Sequence, residues 1–172
     1  ILEMGGGTGV NLPYYPSSVE KVVITEPDPG MKRQLDHKLK ELGEGNFETA
    51  SAQAEDLPFE NISFDTVVST LVLCTVNNPK QSLKEIFRVL KPGGKLLFLE
   101  HVHAHDNPNR AKWQGRIEPV WKHLAGGCHL TRDTLKSIQE TGLTIEDVTH
   151  SSLRKAPSFI RPSIRGIATK SL

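Results

Sequence analysis

The chain opens with Ile1-Leu2-Glu3-Met4-Gly5-Gly6-Gly7-Thr8-Gly9, an apolar run that leads directly into a glycine-rich turn. Glycine accepts positive φ values and lets a ligand approach the backbone, so this turn predicts a ligand-binding loop after a strand. A dinucleotide fingerprint starting at Gly5 would need glycine where Val10 stands, and the Gly-Lys-Ser/Thr of a phosphate-binding P-loop is absent. The remaining pattern is an acidic residue followed by alternate glycines: Glu3, Gly5, Gly7 and Gly9.

A second acidic residue, Glu26, ends the next apolar run, 21 residues after Gly5. In a doubly wound sheet this position lies beside the glycine loop, where a carboxylate can accept hydrogen bonds from both hydroxyls of a ribose. The alternative is a solvated turn residue, because Glu26-Pro27-Asp28-Pro29 is typical of a turn. The distance to the glycine loop favours the ribose-binding role.

Short apolar runs alternate with amphipathic stretches along the rest of the chain, which predicts a mostly parallel sheet with helices on both faces. The 172 residues suit one domain. Strands are predicted at residues 1–4, 22–25, 47–50, 66–71, 95–101, 144–150 and 164–169. Helices are predicted at residues 31–42, 79–90, 111–125 and 131–141. The third helix would place Trp113, Ile117, Trp121 and Leu124 on one face, which we interpret as core or the inner face of a lid, and Pro119 should break or kink it.

The formal net charge of +1 gives no global indication of a nucleic acid or another strongly anionic partner, and no nucleic acid is expected. The two halves differ, however. Residues 1–86 carry 7 basic and 13 acidic side chains, whereas residues 87–172 carry 14 basic and 7 acidic ones. Within the basic half, four cations cluster near two prolines, where they form either a solvated face or a contact with an anionic acceptor or a membrane surface: Arg154, Lys155, Arg161 and Arg165.

Two cysteines, Cys74 and Cys128, cannot form a disulfide framework, so a reducing, intracellular compartment is expected. The longest apolar stretch, residues 67–76, is about half as long as a membrane span. His101, His103 and His105 alternate along a predicted strand, but no cysteine or carboxylate stands at convincing ligand spacing. We therefore expect no metal site, with Cys74 and Cys128 more typical of structural residues than of nucleophiles.

Three further blocks complete a family pattern: Gln53-Ala54-Glu55-Asp56-Leu57-Pro58-Phe59, Ser63-Phe64-Asp65-Thr66-Val67-Val68 and Arg88-Val89-Leu90-Lys91-Pro92-Gly93-Gly94. With the glycine loop and Glu26, they make the whole chain resemble a class I S-adenosylmethionine-dependent methyltransferase with motifs of the quinone-biosynthesis C-methyltransferase type. More narrowly, residues 71–76, Glu100-His101-Val102 and residues 127–132 resemble the methyltransferase-like group that contains alkyl-thiol S-methyltransferases.

The resemblance implies a seven-stranded α/β sheet ordered 3-2-1-4-5-7-6 with the last strand antiparallel. It also implies S-adenosylmethionine as cofactor. Gly5, Gly7 and Gly9 would form the loop under its methionine part, Glu3 would help to hold its ammonium group, and Glu26 would bind the ribose. The resemblance also implies that the adenine lies along Gln53, Ala54 and Glu55. The sulfonium would lie near Ser69, Thr70 and Leu71. Gln53 replaces the aspartate that relatives often have, which puts that contact in doubt.

Methyl transfer from a sulfonium needs mainly alignment, and a thiol acceptor is already partly thiolate at neutral pH. His101, at the carboxyl end of the fifth strand, is the candidate catalytic residue that would accept the remaining proton; the alternative is that it only bonds a loop. Cys74, near the same crevice, is either a small buried residue or exposed to substrate.

We expect methyl transfer to a small molecule, with a thiol favoured. The alternatives are a phospholipid head-group amine, a quinone-type ring carbon, or a non-catalytic scaffold that only binds the cofactor. Residues 1–172 are expected to form one domain that lacks an N-terminal helix or anchor segment. The expected location is intracellular, either cytoplasmic or membrane-associated.

Overall fold

The computed structural model describes residues 1–43, 45–153 and 156–172. Within these ranges the strands are β1 (Leu2–Met4), β2 (Val22–Thr25), β3 (Phe47–Ala50), β4 (Phe64–Thr70), β5 (Leu90–His101), β6 (Leu143–Ser152) and β7 (Pro162–Lys170). The α-helices are α1 (Pro29–Leu42), α2 (Pro79–Val89), α3 (Pro108–Leu124) and α4 (Thr134–Glu140). Short 3₁₀ turns lie at Leu12–Tyr14 and Ser158–Ile160.

The strands form one sheet in the order β3-β2-β1-β4-β5-β7-β6. Strands β1 to β5 pair in parallel, and β7 lies antiparallel between β5 and β6. This confirms the predicted α/β fold class and strand order. The carboxyl ends of β1, β2, β4 and β5 therefore meet at one edge, which is where ligands bind in open sheets of this kind.

Alternate residues of the short strands divide the core into two parts. Val23 packs with Leu2 and Met4, on the side covered by α2 and α4, while Val22 and Ile24 pack with Leu35 of α1 on the other side. Glu3, between Leu2 and Met4, consequently faces away from the larger core. The period of two along β1 thus directs one carboxylate toward the glycine loop.

Three helices begin at an Asx-Pro pair. The side chains of Asp28, Asn78 and Asn107 each accept a hydrogen bond from a backbone N–H of the first turn, and proline follows each of them. Proline suits the first helical position because the N–H that it lacks has no partner within the helix there. These caps fix where α1, α2 and α3 leave the sheet edge.

The predicted apolar face of α3 is covered only in part: Ile117 and Trp121 are half-buried, and the Trp121 ring packs edge to face on Phe159 at a centroid distance of 5.3 Å. Trp113 and Leu124 are 57% and 78% exposed, and the buried residue of the helix is Gln114. Gln114 accepts from Ala104 N and donates to Val102 O, which fastens α3 to the end of β5 by polar contacts. The helix also continues through Pro119, so the predicted break is wrong, and the alternative of a kink stays a prediction. The carbonyl that loses its N–H partner belongs to Gly115, an exposed residue, where water can replace the missing donor.

An open groove of about 320 Å³ runs over β4, β5 and β7 on one face of the sheet. Its lining combines apolar side chains, among them Val68, Leu97 and Ile167, with one cation, Arg165, and one carboxylate, Asp147. Across the described ranges, none of the helices has the length and apolar character required to span a bilayer.

Candidate functional site

The glycine loop lies at the carboxyl end of β1, with Gly5, Gly7 and Gly9 at φ values of +59°, +55° and +75°. Side chains other than hydrogen are disfavoured at such angles. A Cβ added to Gly6 would overlap Ile24 Cγ2, so this residue packs against β2, whereas a Cβ on Gly7 would meet no atom within 4 Å. Gly7 therefore borders open space that a ligand can fill.

Glu26 lies directly against this loop. One of its carboxylate oxygens accepts from Gly7 N at 2.8 Å and the other from Asp28 N at 2.9 Å, and the residue is 5% exposed. Each carboxylate oxygen retains a second lone pair. The structure thus brings Glu26 to the predicted side of the loop, where it can accept from ligand hydroxyls.

Glu3 lies on the other side of the loop and is 2% exposed. Its carboxylate accepts from Asn11 Nδ2 at 2.8 Å and from Tyr15 Oη at 2.7 Å. Burial raises the pKa of Glu3, and these two hydrogen bonds offset part of the effect. Asn11 also donates to Thr70 Oγ1 at 3.0 Å, which connects the predicted sulfonium-side segment to Glu3.

The segment predicted to contact adenine follows β3. Gln53 is exposed, with its backbone carbonyl accepting from Asp56 N, whereas Ala54 is buried in the larger core. Glu55 accepts from Asn78 N at 3.1 Å, so it contacts the start of α2. Of the three, only Gln53 has an exposed side chain. All three assignments stay predictions.

The residues at the end of β4 have different environments. Ser69 is completely buried and its hydroxyl donates to Glu100 Oε1 at 2.7 Å. Leu71 is 41% exposed and adopts a φ of +58°, which is uncommon for a residue with a branched side chain. Backbone strain of this kind concentrates at functional sites, which is consistent with a ligand-facing position for Leu71.

Glu100 organises the loop after β4, a role that sequence reasoning missed. Its buried carboxylate accepts from the backbone N–H groups of Val72, Leu73 and Cys74, each at 3.1 Å, in addition to the Ser69 hydroxyl. Burial raises the pKa of Glu100 to about 7, although these four donors favour the charged form. The available signal was a carboxylate inside an otherwise apolar strand, which needs partners.

His101, the predicted catalytic residue, does not line an open crevice. It is 2% exposed, and neither ring nitrogen has a hydrogen-bond partner among the described residues. His103 and His105 do not join it; their rings pack edge to face at a centroid distance of 4.7 Å. His101 instead lies beside both cysteines of the chain: the ligand atoms of Cys74, His101 and Cys128 are all within 4.8 Å of one another.

This cluster changes the chemistry of the two thiols. The neighbouring Cys128, together with burial, raises the pKa of Cys74. The neighbouring Cys74 thiol, assisted by His101, lowers the pKa of Cys128. Sequence reasoning treated the two cysteines separately because they are far apart in the chain and the turn that carries Cys128 is irregular.

The predicted basic cluster is only partly described. Arg154 and Lys155 lie outside the described residues. Arg161 donates from Nε to Ala156 O at 2.8 Å, and Arg165 lies on β7 with an exposed side chain.

Residues 2–98 match a family model described as a methyltransferase domain. The chain is 42% identical over 142 residues to the thiol S-methyltransferase TMT1B of Rattus norvegicus, which covers 81% of this chain and 58% of that protein. It is 34% identical to the human thiol S-methyltransferase TMT1A over 172 residues, or 99% of this chain and 70% of that protein. The chain thus spans just under three fifths of the length of its TMT1B relative.

A more distant relative covers the first part of the chain. The ubiquinone/menaquinone biosynthesis C-methyltransferase UbiE of Cronobacter sakazakii is 38% identical over 104 residues, which is 58% of this chain and 41% of that protein.

Solved structures show the same fold. An S-adenosylmethionine-dependent methyltransferase of Methanosarcina mazei has a TM-score of 0.81 at 23% identity, over 99% of this chain and 92% of that one. A geranyl diphosphate methyltransferase, in complex with S-adenosylmethionine, has a TM-score of 0.78 at 14% identity, over 98% and 77% of the two chains.

Proposed function

Because the chain belongs to the methyltransferase domain family, we propose that it transfers the methyl group of S-adenosylmethionine to a small-molecule thiol. The observation that supports S-adenosylmethionine as the cofactor is the pair of buried carboxylates, Glu3 and Glu26, on the two sides of the glycine loop.

The residues present fit this cofactor. Its methionine part carries an ammonium group, which a buried carboxylate such as Glu3 can hold, and its ribose offers two hydroxyl donors to Glu26. The open space beside Gly7 leaves room for a group to pass close to the backbone between these carboxylates. The loop and both acidic residues therefore act as one binding site.

S-adenosylmethionine supplies, when bound, a methyl carbon on a positively charged sulfur that is a good leaving group. The chain has to hold the acceptor in line with that carbon and to exclude water. Leu71, whose side chain is partly exposed at the end of β4, is placed to pack against the acceptor side. A thiol needs little further activation, because its ordinary pKa of about 8.5 leaves part of it ionised at neutral pH.

The choice of a thiol rests on the relatives that are named thiol S-methyltransferases, at 34% to 42% identity. A quinone-type ring carbon is the alternative acceptor, since the UbiE relative is also similar over the first part of the chain. A phospholipid head-group amine and a non-catalytic cofactor-binding scaffold are further alternatives. The intact loop, Glu3 and Glu26 argue against the scaffold.

The test is to incubate the purified protein with S-adenosylmethionine and separate panels of alkyl and aryl thiols, quinols and ethanolamine lipids. S-adenosylhomocysteine and the methylated product are measured by mass spectrometry. We expect product with thiols, loss of product in Glu26→Ala, and unchanged product in the matched control Glu41→Ala, whose exposed side chain lies on α1. Product only with quinols or lipids, or cofactor binding without turnover of any acceptor, would contradict the thiol proposal.

A further inference from the structure

Cys74, His101 and Cys128 form a cluster that methyl transfer does not require. Among the residues that the structure describes, these three form the one group whose cysteine, histidine or carboxylate ligand atoms converge in this way. Cys74 and His101 are each 2% exposed, and Cys128 is half-buried. Two sulfur atoms and one imidazole thus face one another in a largely water-free place.

The backbone holds the two cysteine segments together. Cys74 O accepts from His129 N at 2.8 Å, and Leu73 O accepts from Arg132 at 2.7 Å. Gly127, at a φ of +91°, lets its turn come so close that an added Cβ would lie 3.2 Å from Thr75 O. On the other side, Glu100 fixes the N–H group of Cys74. The cluster therefore follows from the fold rather than from freely rotating surface side chains.

His101 is the second, independent sign of a ligand. A buried imidazole has two polar nitrogens that normally find partners, and leaving them without any is costly. Neither nitrogen of His101 has a protein partner in the described parts of the chain. A disulfide between the two cysteines would use both sulfur atoms and would still leave the imidazole without a partner.

We propose that Cys74, His101 and Cys128 bind one thiophilic divalent cation, with Zn²⁺ as the best chemical match. Two thiolates and one imidazole are a common protein ligand set for tetrahedral zinc. Ligand atoms at zinc-bond lengths of about 2.0–2.3 Å lie about 3.5–3.8 Å apart in a tetrahedron, so small side-chain rotations close the present cluster onto an ion. Three protein ligands leave the fourth position for water or another small ligand.

This assignment gives His101 a different role from the proton acceptor that the sequence predicted, because a nitrogen bound to zinc cannot take a proton. The proposed zinc site does not depend on which acceptor the chain methylates. The cluster can hold a cation whether the chain methylates thiols, methylates another substrate, or does not turn over at all.

The primary test uses the wild-type protein. The reduced protein is stripped with a chelator, incubated with zinc chloride and desalted, and its metal content is measured by plasma mass spectrometry. We expect one zinc per chain, and zinc-edge X-ray absorption should show two sulfur ligands at about 2.3 Å and nitrogen at about 2.0 Å. Cobalt loading should give an intense thiolate-to-cobalt charge-transfer band.

Three variants locate the site. His101→Asn and Cys128→Ala should each weaken zinc binding at least about 10-fold, since even residues that only support a metal ligand have effects of 10- to 100-fold. His105→Asn is the matched control, because its imidazole is exposed and outside the cluster, and its zinc affinity should equal that of the wild type. Circular dichroism of the metal-free proteins checks that each variant is folded.

Two results would overturn the assignment without affecting the proposed methyl transfer. One is substoichiometric zinc on folded wild-type protein, including the case in which Cys74 and Cys128 form a disulfide instead. The other is zinc that stays bound with unchanged affinity in both His101→Asn and Cys128→Ala, which would place it at surface histidines.

Discussion

Glu26 shows how one side chain can prepare a loop and bind a ligand. Both of its carboxylate oxygens already accept backbone hydrogen bonds, from Gly7 N and Asp28 N. The remaining lone pairs are free to accept from a ribose, so ligand binding need not disrupt the loop. The carboxylate therefore fixes the shape of the site before the cofactor arrives.

Replacing Glu26 should reduce cofactor affinity. Glu26→Ala removes a charged acceptor worth about 1.5–3 kcal/mol, which corresponds to a roughly 10- to 100-fold higher dissociation constant for S-adenosylmethionine. Isothermal titration calorimetry measures this dissociation constant. Glu41→Ala, on the exposed face of α1, should bind like the wild type. An unchanged dissociation constant in Glu26→Ala would show that the ribose assignment is wrong.

Glu3 should make cofactor binding depend on pH. Burial raises its pKa above the ordinary value of 4.5, and only the charged form attracts an ammonium group. As the pH falls through this raised pKa, Glu3 takes up a proton and affinity is lost, by up to about tenfold per pH unit. Affinity should therefore decline on acidification, starting at a higher pH than an ordinary glutamate would cause.

The control for this pH effect is Glu3→Gln, which cannot titrate. It should bind S-adenosylmethionine more weakly at neutral pH and show a flatter pH profile over the same range. Identical profiles in the wild type and in Glu3→Gln would mean that another group is responsible.

At the level of single residues, the sequence could place Glu3 and Glu26 because fixed spacing from a glycine loop determines their position. It could not find the Cys74, His101 and Cys128 cluster, since that arrangement depends on how an irregular turn after α3 returns to the sheet edge. Ser69 illustrates the same limit: the family resemblance implied a position near the sulfonium, which stays a prediction, but it gave no sign that the Ser69 hydroxyl donates to Glu100.

Among the elements, the apolar runs of the sequence predicted where the strands lie, but they predicted the first and last residues of the strands less well. Strand β5 begins at Leu90, five residues before the predicted start, because Leu90 pairs with Phe64 before the register shifts. The Lys91-Pro92-Gly93-Gly94 stretch that ends α2 therefore also belongs to a strand. In helix α3 the periodicity predicted one buried face, because the apolar residues repeat at helical spacing. Trp113 and Leu124 of that face are nevertheless exposed.

Strand β7 depends on one close approach. A Cβ on Gly166 would overlap Asp147 O of β6 and would lie 2.7 Å from Phe98 Cζ of β5. Gly166→Ala should therefore separate β6 from β7 and destabilise the protein by about 1–3 kcal/mol. Urea unfolding monitored by circular dichroism measures the loss.

A matched glycine substitution separates this clash from the general effect of losing a glycine. Gly115→Ala, in the exposed part of α3, meets no atom within 4 Å and should stabilise the helix slightly. Equal stability of Gly166→Ala and the wild type would show that the strands can move apart at no cost.

Over the whole molecule, the strand order keeps the acidic and basic halves of the chain apart. The sheet places β1 to β4, which belong to residues 1–86, on one side, and β5, β7 and β6 on the other. The first half, with 13 acidic side chains, thus supplies the strands next to the glycine loop, Glu3 and Glu26, and the second half, with 14 basic ones, supplies β5, β7 and β6. The near-zero total charge conceals this separation.

Peripheral contact of the basic half with membranes stays a prediction, and vesicle sedimentation tests it. We expect binding to vesicles that contain phosphatidylserine, no binding to pure phosphatidylcholine, and loss of binding as salt rises, because the attraction is electrostatic. The double variant Arg161→Glu, Arg165→Glu should reduce binding, while Lys38→Glu, on α1 of the acidic half, should not. Equal binding to both vesicle types would contradict an electrostatic contact.

The position of β7 has a consequence for biosynthesis. This strand comes after all the others in the sequence but lies inside the sheet, where it hydrogen-bonds to both β5 and β6. While the ribosome is still making residues 162–170, β6 has no neighbour and one edge of β5 is open, so the nascent chain exposes one unpaired strand and one open strand edge. A ribosome that stalls just before this point would release a polypeptide that contains the glycine loop and both acidic residues but is prone to aggregate.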